Sequence, residues 1–252
     1  MSKRVQFLGS YLSDGATAAS STGSASGYDV QAVVEIERAT GWKAPSTAAV
    51  RLSLNLGTAK SPSGLGIVGG NYSAWGTTKL QHSPDGTTWT DAATLTGFPA
   101  DALDYFSSVT AIARQHWALY WAAPTAAPEL DVFYLGTLTE LPENPLLGSA
   151  TADDEDNVSE EKATSGAIHA EEFGRMVETL GLGWDLTLAN FLVVRGLFRT
   201  ERRLRPFFWI PRDDVGSGVS GQAFLVRQAA RFRWEEVYTG VFTCSTLLRE
   251  EA

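Results

Sequence analysis

Short apolar stretches separated by turn residues recur between residues 28 and 136, and this pattern most constrains what the chain can fold into. Residues 50–56 alternate strictly between apolar and polar side chains, which predicts a half-buried β-strand. The apolar stretches recur about every ten residues without helical segments between them, which favours a β-sandwich or jelly roll. Further strands are predicted over residues 64–70, 116–121 and 130–135.

A hairpin signal lies in the middle of this region. Residues 79–82 lead into Ser83, Pro84, Asp85 and Gly86, and the chain then continues through Trp89. Proline at the second turn position followed by Asp-Gly is typical of a tight turn between two strands. The sequence therefore predicts paired strands on either side of residues 83–86.

The composition changes over residues 142–165, where Pro142 and Pro145 are followed by an acidic run at 153–156. A solvated linker or loop is the favoured interpretation of this run. Asp153, Glu155 and Asn157 alternate as ligands of a calcium loop do, but the glycine and the distant glutamate of an EF-hand are missing. We therefore predict no metal site and place a domain boundary here, giving domains 1–145 and 146–252.

The second region combines strand patterns with one helical pattern. Strands are predicted over 165–169, 178–184, 206–211, 223–233 and 238–248. A helix is predicted over about residues 186–199, with Asp185 as its N-cap. Its core-facing side chains, by helical spacing, are Leu188, Phe191, Leu192 and Phe198. The fold class expected for the whole chain is mainly β, with this helix in the second domain.

The first region resembles the discoidin or galactose-binding-like β-sandwich family. The matching residues are a strand ending in Leu-Gly, a Gly-Gly-Asn step, a Ser-Pro-Asp-Gly-Thr-Thr-Trp hairpin and an Arg-Gln-His-Trp strand, at 52–57, 69–71, 80–89 and 114–119. The order of these pieces is more specific than any one of them. The resemblance covers somewhat under half of the chain and implies a sandwich domain that presents loops at one end.

The chain also resembles distal tail or tail-tip proteins of long-tailed phages. The matching segments are 27–30, 41–44, 133–136, 141–142, 165–166, 172–174, 205–209 and 239–242. This resemblance implies a structural protein of the virion tail, synthesised in the cytoplasm of a bacterial host. It further implies a ring-shaped homo-oligomer that links the tail tube to hub, fibre or other host-recognition parts.

An apolar, arginine-rich stretch after the predicted helix is the candidate subunit interface. Aromatic and arginine side chains are the usual anchors of protein interfaces. The end of a helix is the other favoured interpretation of the arginines, and a phosphate clamp is disfavoured. The candidate interface residues are Phe198, Arg199, Arg202, Arg203, Arg205, Phe207 and Trp209.

The sequence offers little that predicts catalysis. His82, His116 and His169 are scattered and match no zinc spacing, and Cys244 lies in a strand pattern that predicts burial. Asp101 and Asp104 are the one carboxylate pair worth naming for glycoside hydrolysis, although turn and cap roles explain them better. We expect no enzyme activity, no catalytic residue and no cofactor.

Charge and hydropathy restrict the partners. The net charge of −9 disfavours nucleic acid, and no apolar run is long enough to span a bilayer. Host-surface glycans are the alternative partner, which would make the chain a carbohydrate-binding module; an accessory domain of a glycosidase comes third. A loop that carries Asn-Tyr-Ser-Ala-Trp suggests an exposed aromatic ring, although Trp75 folding back onto the sandwich or docking on a neighbouring subunit are the competing interpretations. The candidate sugar ligands are Asn71, Tyr72, Trp75, Asp104 and Tyr105.

Overall fold

The computed structural model describes residues 5–35, 41–101, 104–145, 151–155, 158–162, 168–172, 177–201, 206–210 and 223–250. The first strands are β1 (Gln6–Gly9), β2 (Thr17–Ser20), β3 (Trp42–Lys43), β4 (Val50–Lys60), β5 (Gly64–Val68), β6 (Thr78–Ser83), β7 (Thr90–Leu95), β8 (Tyr105–Ser108), β9 (Arg114–Trp121), β10 (Glu129–Leu130) and β11 (Val132–Glu140). They are followed by β12 (Thr151–Glu155), β13 (Val158–Lys162), β14 (Ile168–Glu172), β15 (Val177–Thr187), α1 (Leu188–Glu201), β16 (Phe207–Ile210), β17 (Phe224–Gln228), β18 (Arg233–Tyr238) and β19 (Val241–Glu250). Short 3₁₀ turns span Val30–Val34 and Tyr72–Ala74.

The chain divides into two compact units. The first comprises Met1–Leu141 and Phe207–Leu225, and the second comprises Pro142–Pro206 and Val226–Ala252. Strand β16 therefore belongs to the first unit, although it follows the second region's helix in the sequence. The domain boundary predicted near residue 145 stays a prediction.

The first unit is a β-sandwich. One antiparallel sheet has the order β2-β4-β9-β6-β7, and the other contains β16-β1-β11-β5-β8. The alternation predicted for residues 50–56 is confirmed, because Leu52 and Leu54 are fully buried while Arg51 and Ser53 are only partly covered. The two inward faces share one core, to which β4 and β9 contribute Leu54 and Trp117 and the opposite sheet contributes Ile67 and Phe133. The hairpin predicted around residues 83–86 is also confirmed, since β6 pairs with β7.

The second face of β5 and β11 is buried as well. Val68 and Tyr134 pack in a separate cluster with Phe208 from β16 and Leu225. Strand β5 is buried along its whole length, as a strand covered on both faces must be. The predicted buried strand over residues 64–70 is thus confirmed for 64–68.

The second unit is built around the long pair of β15 and β19, which runs antiparallel from Thr179 and Arg249 to Thr187 and Val241. Strand β12 pairs with β15. Both β17 and β18 pair with β19, and β13 pairs with β14. Helix α1 covers one face of the sheet, where the Phe191 ring stacks on Phe242 with centroids 4.3 Å apart. The predicted fold class, mainly β with a sandwich and one helix in the second region, is confirmed.

Three local predictions in the second unit are wrong. Asp153 and Glu155 lie in β12, not in a linker, because β15 supplies backbone hydrogen bonds along the acidic run. Asp185 is not the N-cap, since it lies in β15 and accepts a hydrogen bond from Thr243 at 2.6 Å, while Thr187 accepts from the Asn190 N–H at 3.5 Å. The final region holds three strands, β17, β18 and β19, where two were predicted.

The phase of the helix also differs from the prediction. Phe191 and Phe198 are buried as expected, together with Val194. Leu188 and Leu192, predicted to face the core, are instead 50% and 54% exposed.

Candidate functional site

The aromatic side chains predicted to bind a sugar lie in the sandwich core. Trp75 has no exposed surface, and Tyr72 and Tyr105 are 4% and 1% exposed. The Trp75 ring meets Trp121 edge to face at 5.1 Å and donates its indole N–H to Asn71 Oδ1 at 2.6 Å. The premise that Trp75 is exposed is therefore wrong, and in this structure these rings present no free face to a ligand.

The polar members of the same set hold backbone in place. Asn71 also accepts the Glu129 N–H at 2.8 Å and donates to the Ala127 carbonyl at 2.9 Å. Asp104 is buried and accepts the N–H of Leu225 at 2.6 Å. Their contacts are those of structural residues, and a ligand-binding role for them stays a prediction.

Asp101 and Asp104, the carboxylate pair considered for hydrolysis, have different surroundings. Asp101 is exposed and accepts hydrogen bonds from the Ser73 N–H and hydroxyl at 2.7 and 2.6 Å, which lower its pKa. It thus anchors the 3₁₀ turn at Tyr72–Ala74, in keeping with the turn role that the sequence favoured.

The apolar residues of the predicted subunit interface are buried within the chain. Phe198, Phe207 and Trp209 are 5%, 0% and 3% exposed, whereas Arg199 is exposed. Arg202, Arg203 and Arg205 lie outside the described residues, so their role stays a prediction. An interface through this stretch would need surfaces other than those three rings.

A different cluster of side chains lies on the outer face of the five-stranded sheet. Two half-buried aromatic rings flank one arginine, with the guanidinium carbon of Arg51 4.9 Å from the Trp89 ring centroid and 5.3 Å from that of Tyr120. Three polar side chains continue the cluster across the sheet. We call this cluster the aromatic platform: Arg51, Lys79, Gln81, Trp89, Asp91 and Tyr120.

Strand register places the platform on one face. Tyr120 of β9 lies opposite both Arg51 of β4 and Lys79 of β6, and Gln81 lies opposite Asp91 of β7. Directly opposed residues of antiparallel strands project to the same side, so five strand residues converge without any irregular loop. Ala118, between Ser53 and Gln81 in the next row, carries only a methyl group and leaves room for the Arg51 side chain to cross to Gln81.

The β6–β7 turn brings the sixth member, Trp89, to the platform. Asp85 accepts the N–H groups of Thr87 and Thr88, both at 2.9 Å, and the Ser83 hydroxyl at 2.8 Å. These bonds lower the pKa of Asp85, so the carboxylate that fixes the turn stays charged well into the acid range. Gly86, with φ of +74°, completes the turn. The platform's aromatic edge therefore rests on an ordered hairpin.

Hydrogen bonds connect the polar groups into a chain. Arg51 Nε donates to Gln81 Oε1 at 3.0 Å, and Gln81 Nε2 donates to Asp91 Oδ1 at 2.7 Å. Lys79 Nζ lies 2.6 Å from Asp91 Oδ2, with both side chains partly in solvent. The bonds from Lys79 and Gln81 lower the pKa of Asp91, which keeps this carboxylate ionised at neutral pH. The network orients each group before any ligand arrives.

The other reactive side chains that the structure describes form no second site of this kind. Cys244 is buried, and burial together with the charge of Asp185 raises its pKa to about 11, which disfavours the thiolate. Burial lowers the pKa of His82, whose ring lies edge to face on Trp117. Among the described residues no three His, Cys, Asp or Glu side chains cluster as metal ligands. In the same part of the chain, no helix has both the length and the apolar character needed to cross a membrane.

Sequence patterns alone do not reveal the platform, although its residues stand in two recognisable motifs. Arg51 occupies a polar position of the alternating strand, and Trp89 ends the hairpin motif. Alternation shows that such residues point outward. It does not show which strands lie side by side, and the platform depends on β4, β9, β6 and β7 being neighbours in that order.

Comparisons with known proteins place sugar-binding modules among the similar structures. A chitosan-binding module of a chitosanase/glucanase from Paenibacillus sp. IK-5 matches 50% of this chain and 98% of its own, with 17% identity and a TM-score of 0.45. A family 32 carbohydrate-binding module of NanJ from C. perfringens, in complex with galactose, matches 53% and 99%, with 14% identity and a TM-score of 0.43. The lectin domain of lectinolysin, complexed with Lewis B antigen, matches 52% and 98%, with 11% identity and a TM-score of 0.42.

No family model and no curated protein matches the sequence. The similarity to the solved structures is too low for their binding residues to be transferred.

Proposed function

We propose that the first unit is a non-catalytic carbohydrate-binding domain, and that the aromatic platform is its binding surface. The observation that carries this proposal is the placement of two partly exposed aromatic rings and a hydrogen-bonded polar network on one sheet face. A pyranose ring has an apolar C–H face and a rim of hydroxyl groups. Aromatic rings with a few fixed polar groups match both features.

The platform is preorganised, which favours binding of a polar ligand. Gln81 is almost completely buried and has both ends of its amide engaged, so its orientation is fixed. Asp91 and Lys79 remain partly exposed and offer an acceptor and a donor to solvent. Groups that are already ordered lose little conformational entropy when a ligand binds.

Replacing Trp89 by alanine is expected to weaken glycan binding by about 30-fold, since truncating an aromatic anchor of an interface costs about 2 kcal/mol or more. A glycan array with the full chain identifies a ligand, and titration calorimetry then gives the affinity. Tyr28→Ala is the matched control, because Tyr28 is an aromatic residue of the same unit that is 36% exposed and lies outside the platform. Equal affinity of the Trp89 variant and the parent protein would place the binding surface elsewhere.

The phage-tail role is the second candidate function, and the exposed apolar side chains of the second unit favour it. Among the described residues, strand β18 pairs with β19 alone, so its other edge is open to strand pairing with another chain. Ring assembly of a tail protein would use such surfaces between copies of one chain. The exposed apolar side chains are Leu188, Leu192, Val193, Trp234, Val237 and Tyr238.

In this candidate role the protein is expected to form an oligomer whose solution mass is a multiple of 27.1 kDa. Leu192→Glu and Tyr238→Glu, tested separately, are each expected to return it to a monomer, because both place a charge on an exposed apolar surface. Light scattering with negative-stain imaging measures the mass and the shape. Tyr28→Glu, which places the same charge in the first unit, is expected to leave the oligomer intact. A monomeric parent protein at high concentration would contradict self-assembly.

A further inference from the structure

We propose that the aromatic platform selects sugars that carry a carboxylate, and that Arg51 binds this carboxylate. The inference rests on the proposed function of the platform and adds the chemical class of its ligand. Two observations support it: Arg51 has hydrogen-bond donors that no described residue uses, and its positive charge has no anionic partner among the described residues.

The Arg51 guanidinium is fixed in position but uses only one of its hydrogen-bond donors within the described residues. Its Nε donates to Gln81 at 3.0 Å, and the rings of Trp89 and Tyr120 lie within 5.3 Å of its central carbon. Among the described residues, the two terminal amino groups of Arg51 have no hydrogen-bond acceptor. A guanidinium carries five N–H groups, so four remain for an outside partner. Planar and fixed, this group matches the two oxygens of a carboxylate.

The charges of the platform also favour an anion, because they leave one positive charge unbalanced. Asp91 is the platform's one carboxylate, and its two oxygens each accept one hydrogen bond, from Lys79 and from Gln81. Lys79 and Asp91 offset each other, which leaves Arg51 without an anionic partner among the described residues. This surplus positive charge lies on a chain whose net charge is −9. A cation that is kept unpaired beside two aromatic rings on an acidic protein provides a specific place for an anion.

The aromatic rings beside Arg51 favour an anion that is attached to a sugar ring. Trp89 and Tyr120 are half-buried, so each residue retains some surface in solvent, and both rings lie beside the guanidinium. A pyranose whose C–H face packs on a ring would bring a carboxylate on that ring within reach of Arg51. Uronic acids and sialic acids share this chemistry. A free inorganic anion lacks the apolar face, and a neutral sugar leaves the guanidinium unpaired.

The test uses pairs of ligands that share one sugar, with the carboxylate charged in one and esterified in the other. Oligogalacturonate, hyaluronan oligosaccharide and sialyllactose are each titrated into the full chain beside their methyl esters, which keep the sugar and remove the negative charge. At least one acidic probe is expected to bind about 10- to 100-fold more tightly than its ester, the range that a charge-assisted hydrogen bond supplies. That preference is expected to shrink as salt is added.

Arg51→Leu identifies the responsible group. This variant is expected to lose the 10- to 100-fold preference for the acid while its affinity for the ester stays within a few fold. Arg51→Lys keeps the charge but not the planar pair of donors, so it is expected to retain only part of the preference. Arg231→Leu removes one exposed arginine from the second unit and is the matched control for net charge. Thermal unfolding of each variant confirms that the comparison is made on folded protein.

The outcomes separate the two proposals. If an acid and its ester bind equally and Trp89→Ala weakens both, the carboxylate specificity is wrong and the sugar-binding platform stands. The same specificity is refuted if sulfated probes bind and carboxylated ones do not. If no probe binds in a way that depends on Trp89, both proposals fail together.

Discussion

Replacing Trp75 by alanine is expected to lower the free energy of unfolding of the first unit by about 3–5 kcal/mol, the usual cost of emptying a large aromatic site in a core. Trp75 has no exposed surface, and its ring packs within 5.4 Å of Tyr72, Phe98 and Trp121. The variant also removes the indole N–H that Asn71 accepts at 2.6 Å. Urea unfolding followed by far-UV circular dichroism measures the loss.

Trp89→Ala is the matched control for this experiment. Trp89 is half-buried on the outer sheet face, and its removal leaves the core cluster intact. Its effect on the unfolding free energy is expected to be about 1 kcal/mol or less, as for surface substitutions outside the core. A Trp75 variant that kept full stability and lost sugar binding would restore the loop of Asn71, Tyr72 and Trp75 as the binding site.

The contrast between these tryptophans shows where sequence patterns stop being informative. Sequence patterns assign Trp75 to a loop and Trp89 to the hairpin motif, but neither pattern gives the direction in which the ring points. In the structure, the 3₁₀ turn at Tyr72–Ala74 directs Trp75 inward, and Asn71 fixes its indole. The β6–β7 hairpin holds Trp89 against Arg51 on the outside. The direction of each ring depends on contacts with strands distant in sequence, which local patterns do not contain.

Strand periodicity predicted the sandwich well because its period of two is set by the backbone alone. The acidic run at Asp153 and Asp154 was wrongly predicted as a linker for the opposite reason. Its charged side chains do not resemble a buried strand, yet pairing with β15 satisfies its backbone. Among the described residues β12 pairs with β15 alone, and charged side chains are common on such edge strands.

The error in the phase of α1 has a related cause. Apolar residues occupy several sides of this helix, so its spacing does not select one face. Contacts with the sheet determine which face of the helix is buried, because Phe242 stacks on Phe191 and the Trp184 ring lies 6.1 Å from that of Phe198. Leu188 and Leu192 are then left in solvent, among the exposed apolar side chains of the second unit.

Gly66 is closely packed against a buried ring of the first unit, and Gly66→Ala is expected to destabilise this unit by about 1–3 kcal/mol, the typical cost of overfilling a well-packed core. A methyl group at this position would lie 2.3 Å from the nearest ring carbon of Phe208, far inside van der Waals contact. Phe208 is fully buried and meets Tyr134 edge to face at 5.3 Å, so its ring has little freedom to move aside. Gly66 itself is fixed between Tyr134 of β11 and Phe106 of β8.

Two further variants identify the cause of that loss. Gly66→Ala combined with Phe208→Leu is expected to be less destabilising than the sum of the single changes, because the smaller side chain makes room for the methyl group. Gly196→Ala is the matched control, since no atom lies within 4 Å of the added methyl and alanine favours the helix by up to about 1 kcal/mol. Opposite signs for the two glycine variants in urea unfolding would support the role of close packing. Strict additivity in the double variant would instead assign the loss to the β5 backbone, because then Phe208 would not be the side chain that Gly66 accommodates.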